Sequence, residues 1–503
     1  IMNGNNISGY YLFYEVDKID KEMRTYMLQI LDENLEEVSR KRMRNSKNVY
    51  LADAAFNDSL IMLKFHDFKE KKYTFKAYDL NGERAKGGSR KLDKKTYAPP
   101  LFLQGKKGDS HDGALFAVPR KGFVQYAAVK NKKWGYIIDF LGGSREKSWK
   151  YRSDKNADII HFTNHITANE EMILVNVSKA KNGFGKNVNS ALLALDVATG
   201  DKIFEVDFEP EKPIQIVNGF IDEIQEEIII FGMFYKEGAK TFKAKSQGLF
   251  AYSLDFKGNV KSQRYISWEE DVSQFIKMNK NGKMKNSEYL AFHNIVRTAD
   301  GKILVVGEQY SKKVDGGKIA GGILSGLAAG ALAGATGGNV GTSGAGPTTF
   351  SKFVIDDLMV FTLDAQLNLE SVETIEKGQT EMELPGAFMS PQVLAYFAYA
   401  YNAFDYAFTQ HNEDESIITF GYLDYERVKG EKNGYALGSV SYIDGELSTD
   451  KIPLNRDAAA LRILPAIPGY VAIFEVIAEK KKGKGLKKKW VRTLNMRLEK
   501  INY

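Results

Sequence analysis

The sequence predicts an all-β chain folded as a β-propeller of seven or eight blades, and three observations predict it. Short apolar runs recur along the whole chain, most of them ending at an aspartate that reads as a tight turn. The intervals between those turns match the length of one small antiparallel sheet. Tyrosine and phenylalanine are abundant, at 26 and 30 residues, and both favour the half-buried surface of a pleated sheet.

The repeat is clearest at its turns. "YMLQILDENLEEV" turns near Asp32, "TFKAYDLNGERA" near Asp79 and "WGYIIDFLGGSRE" near Asp139. The series continues with "ALLALDVATGDKIF" at Asp196, "GLFAYSLDFKGNVKS" at Asp255, "LMVFTLDAQLNLES" at Asp364 and "SVSYIDGELST" at Asp444, and "VRTLNMRLEKI" puts Asn495 at the same point. A second apolar run precedes each copy. "IIIFGMFY", "ILVVGEQY" and "IITFGYLD" align on Gly232, Gly307 and Gly421, and "YYLFYEVD", "LIMLKFHD", "MILVNVSK" and "VAIFEVIA" are looser relatives. The unit is a strand, a variable connection, a second strand, a tight turn and a third strand of mixed polarity, present eight times.

The turn aspartates lie 47, 60, 57 and 59 residues apart, then 109 and 80. A unit of roughly 50 to 60 residues with three or four antiparallel strands has the size of one propeller blade. Tandem β-sandwiches would repeat nearer to about 100 residues. Helical solenoids need a 3.6-residue period, which these runs lack. The blade number stays at seven or eight, because the C-terminal end is able to lend a strand to the first unit.

Residues 312–351 account for the long interval as an insertion between two neighbouring strands of one blade, in a chain otherwise read as a single propeller over residues 1–503. From Ile319 to Ser351 there is no charged side chain, and Gly322, Gly326, Gly330 and Gly334 recur every four residues. Glycine costs about 1 kcal/mol per residue in a helix relative to alanine, so the segment is a weak helix in water. As a helix it would align its glycines in one groove, the small-residue pattern of closely packed apolar helices. Its 17 residues from Ile319 to Ala335 would span about 25 Å, short of a bilayer core of about 30 Å. Three readings compete: a glycine-rich linker, an apolar finger that enters a partner or touches lipid, and a phosphate cradle. The cradle lacks a GK[ST] ending, with Lys318 on the wrong side. A linker gives no reason for Ile319, Ile323, Leu324, Leu327 and Leu332, so the finger is the preferred reading. Ile319, Gly322, Ile323, Gly326, Leu327, Gly330 and Gly334 are its partner-binding residues.

Chemistry-bearing motifs are sparse. The absence of cysteine removes disulfides, thiolate nucleophiles and thiolate metal sites together. His161 and His165 in "HFTNH" have a spacing that seats zinc on a helix, not on the strand expected here. No G-x-S-x-G elbow is present, and Ser343 in "GTSGAG" falls in the insertion. Asp356 and Asp357 are adjacent and so face opposite ways on a strand. No catalytic residue, metal site or cofactor is assigned. The alternative is a carbohydrate-active or carbohydrate-binding propeller whose acids come from separate blades.

Two further stretches carry a choice. "VLAYFAYAYNAFDYAF", residues 393 to 408, reads as an aromatic strand contributing to the core, with an interface as the rival. "KKKGKGLKKKW", Lys480 to Trp490, reads as a solvated hairpin, with attraction to anionic lipid as the rival. It lacks the interleaved aromatics of a single-strand binder, and a net charge of +6 is modest for this length, so no nucleic-acid partner is expected. The start, "IMNGNNISGYY", shows no basic-then-apolar leader and reads as a processed end compatible with export.

The runs "NIVRTADGKILVVGEQY" and "LMVFTLDAQLNLES" resemble the repeats of large β-propeller-like envelope proteins of the Bacteroidota. Within that group, a propeller carrying an apolar glycine-rich loop is similar to the Plug subunits of type 9 secretion translocons. The resemblance implies a periplasmic, non-enzymatic protein, peripheral to the outer membrane, that closes the inner mouth of a translocon barrel.

Overall fold

The computed structural model describes the chain apart from residues 4–5, 92–95, 98–113, 182–187, 209–211, 242, 278–288, 314–349, 386–389, 401, 413, 428–432, 483–487 and 503. A short hairpin of β1 (Met2–Asn3) and β2 (Asn6–Ile7) precedes eight antiparallel sheets, each built from consecutive strands. Blade 1 holds β3 (Tyr10–Lys18), β4 (Met23–Leu31) and β5 (Glu37–Ser46). Blade 2 holds β6 (Val49–Phe56), β7 (Ile61–Asp67), β8 (Lys72–Tyr78) and β9 (Arg84–Lys91). Blade 3 holds β10 (Thr96–Tyr97), β11 (Leu115–Val118), β12 (Gly122–Lys130), β13 (Trp134–Gly142) and β14 (Trp149–Arg152). Blade 4 holds β15 (Ile160–Ala168), β16 (Met172–Ala180), β17 (Val188–Asp196) and β18 (Lys202–Asp207). Blade 5 holds β19 (Ile214–Asp222), β20 (Glu227–Phe234), β21 (Gly248–Leu254) and β22 (Val260–Ser267). Blade 6 holds β23 (Tyr289–Arg297), β24 (Ile303–Lys313), β25 (Phe350–Leu363), β26 (Leu369–Ile375) and β27 (Thr380–Pro385), and the helix α1 (Pro391–Ala400) follows it. Blade 7 holds β28 (Tyr406–His411), β29 (Ile417–Glu426), β30 (Gly434–Ile443) and β31 (Glu446–Pro453). Blade 8 holds β32 (Ala458–Pro465), β33 (Tyr470–Lys482) and β34 (Lys488–Lys500).

The sheets close into a ring because the central strands are apolar on both faces and must be covered twice. In β17 and β21 nearly every residue is buried. Separate cores fill each junction: Leu28 with Phe65 between blades 1 and 2, Val124 with Leu193 between 3 and 4, Leu192 with Phe250 between 4 and 5. Phe231 meets Phe361 between blades 5 and 6, and Val360 meets Val440 between 6 and 7. The last junction is made by Tyr10, Leu31, Ala472 and Phe474, joining blade 8 to blade 1. The fold is therefore an all-β propeller of eight blades.

The turn signature has a common geometry. Asp32, Asp79, Asp255 and Asp364 each accept backbone N–H bonds from the residues two and four positions on. Leu35, Gly82, Gly258 and Leu367 then take positive φ at the same place in each turn. Two members of the predicted series are not turns. Asp139 lies inside β13, where Arg90 neutralises it, and Asn495 lies inside β34 opposite Glu475. The repeated glycines have a steric cause: Gly232, Gly307 and Gly421 stand opposite bulges in the innermost strands, where a Cβ would strike Gln215, Ala291 or Phe408.

The aspartate turn joins the third and fourth strands of blades 2, 5 and 6, but in blade 1 it joins β4 to β5. Among the described residues blade 1 thus consists of a second, third and fourth strand, and blade 8 of a first, second and third. The first sheet takes no strand from the C-terminal end among the described residues.

Candidate functional site: the base of the blade-six insertion

In blade 6 the two strands flanking residues 314–349 outgrow their sheet. β24 and β25 run to 11 and 14 residues and stay paired as far as Lys313 opposite Lys352. β26 covers only the far half of β25, from Leu358 to Leu363, and β27 pairs with the near half, from Phe350 to Ile355. The change of partner falls at Asp356 and Asp357, where β25 has one more residue than β24 and bends. Gln379 donates to Asp356, and the backbone N–H of Lys377 donates to Asp357 at 3.3 Å.

Beyond β27 comes α1, where a strand was expected for residues 393 to 408. Pro391 occupies the first turn, where its missing N–H costs nothing. Asn402 adopts φ 54°, with its N–H on the carbonyl of Tyr399 and that of Ala403 on Ala398. That pair of bonds is a helix-ending motif, and Asn tolerates the left-handed position better than most residues. Leu394, Ala395 and Ala398 pack against Tyr310, Phe353, Ile355 and Leu384 of blade 6. The tyrosine hydroxyls reach innermost strands: Tyr399 donates to the carbonyl of Phe292 at 2.5 Å, and Tyr396 donates to Asn164 of blade 4 at 2.6 Å. The helix therefore ties blade 6 to a blade two places away in the ring. Only β28, at Tyr406–His411, realises the predicted strand.

A buried ion cluster fixes this assembly to blade 7. Lys377 Nζ lies 2.5 Å from Asp405 Oδ2 and 3.2 Å from Glu308 Oε1, and Glu308 Oε2 lies 2.9 Å from His293 Nε2 and accepts the Tyr406 N–H at 3.1 Å. The Lys377 and Glu308 side chains are wholly enclosed. Burial opposes the Lys377 charge, but Asp405 and Glu308 outweigh it and raise its pKa. Burial likewise opposes the Glu308 charge, yet Lys377 and His293 hold its carboxyl below the ordinary range. Asp405 is pushed up to about 6 by burial, against the pull of Lys377. Next to Lys377, Gly378 donates to Asp424 at 2.7 Å and leaves no room for a Cβ against the Tyr425 carbonyl. The cluster faces no solvent, so its chemistry is that of a clamp. The sequence reading missed it, although Glu308 inside the apolar run "ILVVGEQY" was a visible signal.

The predicted partner-binding residues, Ile319, Gly322, Ile323, Gly326, Leu327, Gly330 and Gly334, lie outside the described residues. His161 and His165 sit on β15, as expected of a strand. His165 Nδ1 is 2.7 Å from the Tyr126 hydroxyl and its ring stacks on Phe116, whereas His161 lies edge-on to Tyr136. Among the described residues no group of His, Asp and Glu is arranged to hold a metal. Two open clefts of about 520 and 420 Å³ lie between blades 6 and 7, sharing Glu376 and Lys451 on their walls.

A model of a family of unknown function, DUF6770, matches residues 1–502. The chain belongs to that family. No curated protein matches this DUF6770 member. Among solved structures it is similar to the quinohemoprotein alcohol dehydrogenase of Comamonas testosteroni, at 10% identity and a TM-score of 0.38, covering 94% of this chain and 73% of the other. It is also similar to the WD40 domain of SCAP from fission yeast, at 8% identity and a TM-score of 0.34, covering 92% of each chain. A third is the β-propeller domain of the Trilobed protease from Pyrococcus furiosus, at 9% identity and a TM-score of 0.36, covering 88% of this chain and 97% of the other.

Proposed function

We propose that this propeller is a non-enzymatic scaffold of a bacterial envelope that docks on a membrane-protein partner and places the apolar segment around Ile319 to Ala335 inside it. The observation that carries this reading is the construction of the base from which the segment departs. β24 and β25 remain paired beyond the edge of β26, β27 covers the extension, α1 braces it, and the Lys377 clamp ties the assembly to blade 7. A connection without a task gives no reason for such a base. Glycines at four-residue spacing allow close approach in a confined opening, and Ile319, Ile323 and Leu327 supply apolar area at about 25 cal/mol per Å² buried. On this reading the partner is an outer-membrane translocon barrel met from the periplasm, the arm closes a protein-secretion channel, and its apolar side chains touch lipid at the rim.

The test is removal of residues 316–346. The variant is expected to keep the thermal transition of the full chain and to lose co-purification with its partner from native membranes. Full retention of the partner by the deleted form would overturn the reading.

A further inference from the structure

Among the described residues the ring closes between a three-stranded blade 8 and a blade 1 whose last strand is rich in arginine. Blade 8 ends at β34, which among the described residues has β33 on one side and no strand on the other. Its outer edge offers unpaired backbone groups along 13 residues, longer than any outermost strand of blades 1 to 7. Opposite stands β5, the fourth strand of blade 1. Met43 and Asn45 of β5 face blade 2, where they meet Tyr78 and Lys76. The alternate residues Arg40, Arg42 and Arg44 share the other face with Gln29, Met27 and Thr25, the face whose Tyr10 and Leu31 pack on blade 8.

At two complete junctions one of these positions is apolar and the other, Thr374 or Gln263, polar without charge. Counted from the turn aspartate, Arg40 stands where β26 has Val372 and Arg42 where β22 has Tyr265. Val372 packs in one core with Ile266, which lies on the fourth strand of the preceding blade, and Tyr265 packs with Phe204 and Val206 of the preceding fourth strand. Among the described residues the closing junction has no preceding fourth strand, and arginines stand at both positions. Arg40 pairs with Glu37 at 3.2 Å, and Asp17 is the other acid on that face. Arg42 and Arg44 have no ion-pair partner among the described residues, and neither has Arg492 of β34. Between these walls Tyr14 and Leu494 are each 42% exposed.

We infer that β34 accepts an extended acidic segment of a partner protein as a fourth strand of blade 8, with its carboxylates directed at Arg42 and Arg44. A strand added about 4.8 Å outside β34 would lie about 10 Å from β5, within reach of arginine side chains. Main-chain pairing would supply affinity and the arginines selectivity for carboxylates. A second copy of this chain fits poorly, since two β34 edges would set Arg492, Arg497 and Lys500 near their own like charges. The groove is independent of the blade-six arm.

The experiment uses the full chain and a fluorescent peptide of alternating Glu and Val, followed by anisotropy at several salt concentrations. Binding is expected. It should be lost when alternate peptide nitrogens are methylated, and weakened on the order of tenfold or more by R42E/R44E. K41E, on the opposite face of β5, should have little effect. Equal binding of the methylated peptide, equal loss with K41E, preferential binding of oligothymidylate or of anionic phosphatidylglycerol vesicles, or a dimer that R492E abolishes would each overturn the proposal.

Discussion

Lys377 shows what a single buried charge does in this fold. Its ammonium is enclosed between Glu308 and Asp405, and replacing it by methionine takes the lysine from both carboxylates and leaves Glu308 with His293 alone. Removing one partner of a buried ion pair typically costs about 3–5 kcal/mol. Lys377→Met should lower stability by that amount in urea titration, and the added change Glu308→Gln should recover part of it. His165 makes the corresponding case for pH. Burial under Phe116 lowers its pKa from 6.5 to about 3, so the folded state holds the ring neutral while the unfolded chain takes up a proton below 6.5. Stability therefore falls as pH drops through that window, by about 2 kcal/mol on reaching about pH 5 if burial acts in full. His165→Gln should flatten this slope in urea titrations at several pH values, whatever it does to stability at neutral pH. Leu367 obeys a different priority. It takes φ 69° where the turns of blades 2 and 5 have glycine, and it is 1% exposed in the core between blades 5 and 6, so its packing outweighs the strain.

Among the elements, legibility followed the period of the pattern. Strands that alternate or run continuously apolar, such as β20, β24 and β29, stood out because both faces of a blade must be covered. The aspartate turn was legible wherever its carboxylate accepts from the residues two and four positions on. It misled at Asp139 and Asn495, where the same residue types serve within a strand. The helix α1 was misread because aromatic residues at 396, 397, 399 and 401 look like strand material, and aromatics carry a β preference. Its boundary signals were present all the same: Ser390 and Pro391 at the start, and Asn402 after the end. Weight on those signals would have found the helix. Of the clamp a pattern argument could flag Glu308 in its apolar run but not its partners, because Glu308, Lys377 and Asp405 meet only once β26, β27 and β28 are set in place. The arm was legible as an insertion, and the long β24–β25 pairing marks where it leaves the blade.

For the molecule as a whole, the decisive feature is how the ring is shut. Neighbouring blades touch along covering faces, so the stability of such an array is largely a sum of terms between neighbours, and the weakest junction sets where it opens. Blades 8 and 1 are joined by side chains alone among the described residues, through Tyr10, Leu31, Ala466, Ala472 and Phe474 and the bond from the Tyr10 hydroxyl to the Pro465 carbonyl at 3.0 Å. Phe474 meets Tyr10 edge to face at 5.7 Å and is 5% exposed. Truncating it to alanine should cost about 3–5 kcal/mol locally. Because no described strand crosses the junction, that loss should appear first as faster amide exchange in β3, β4, β33 and β34, with β16, β17, β20 and β21 keeping their protection. An equal loss of protection around the whole ring would mean that the blades unfold as one unit and that closure is not its weak point. The same junction has two expected consequences: with three described strands in blade 8, it should be the first place for the ring to part and the place where an added strand would stabilise it most.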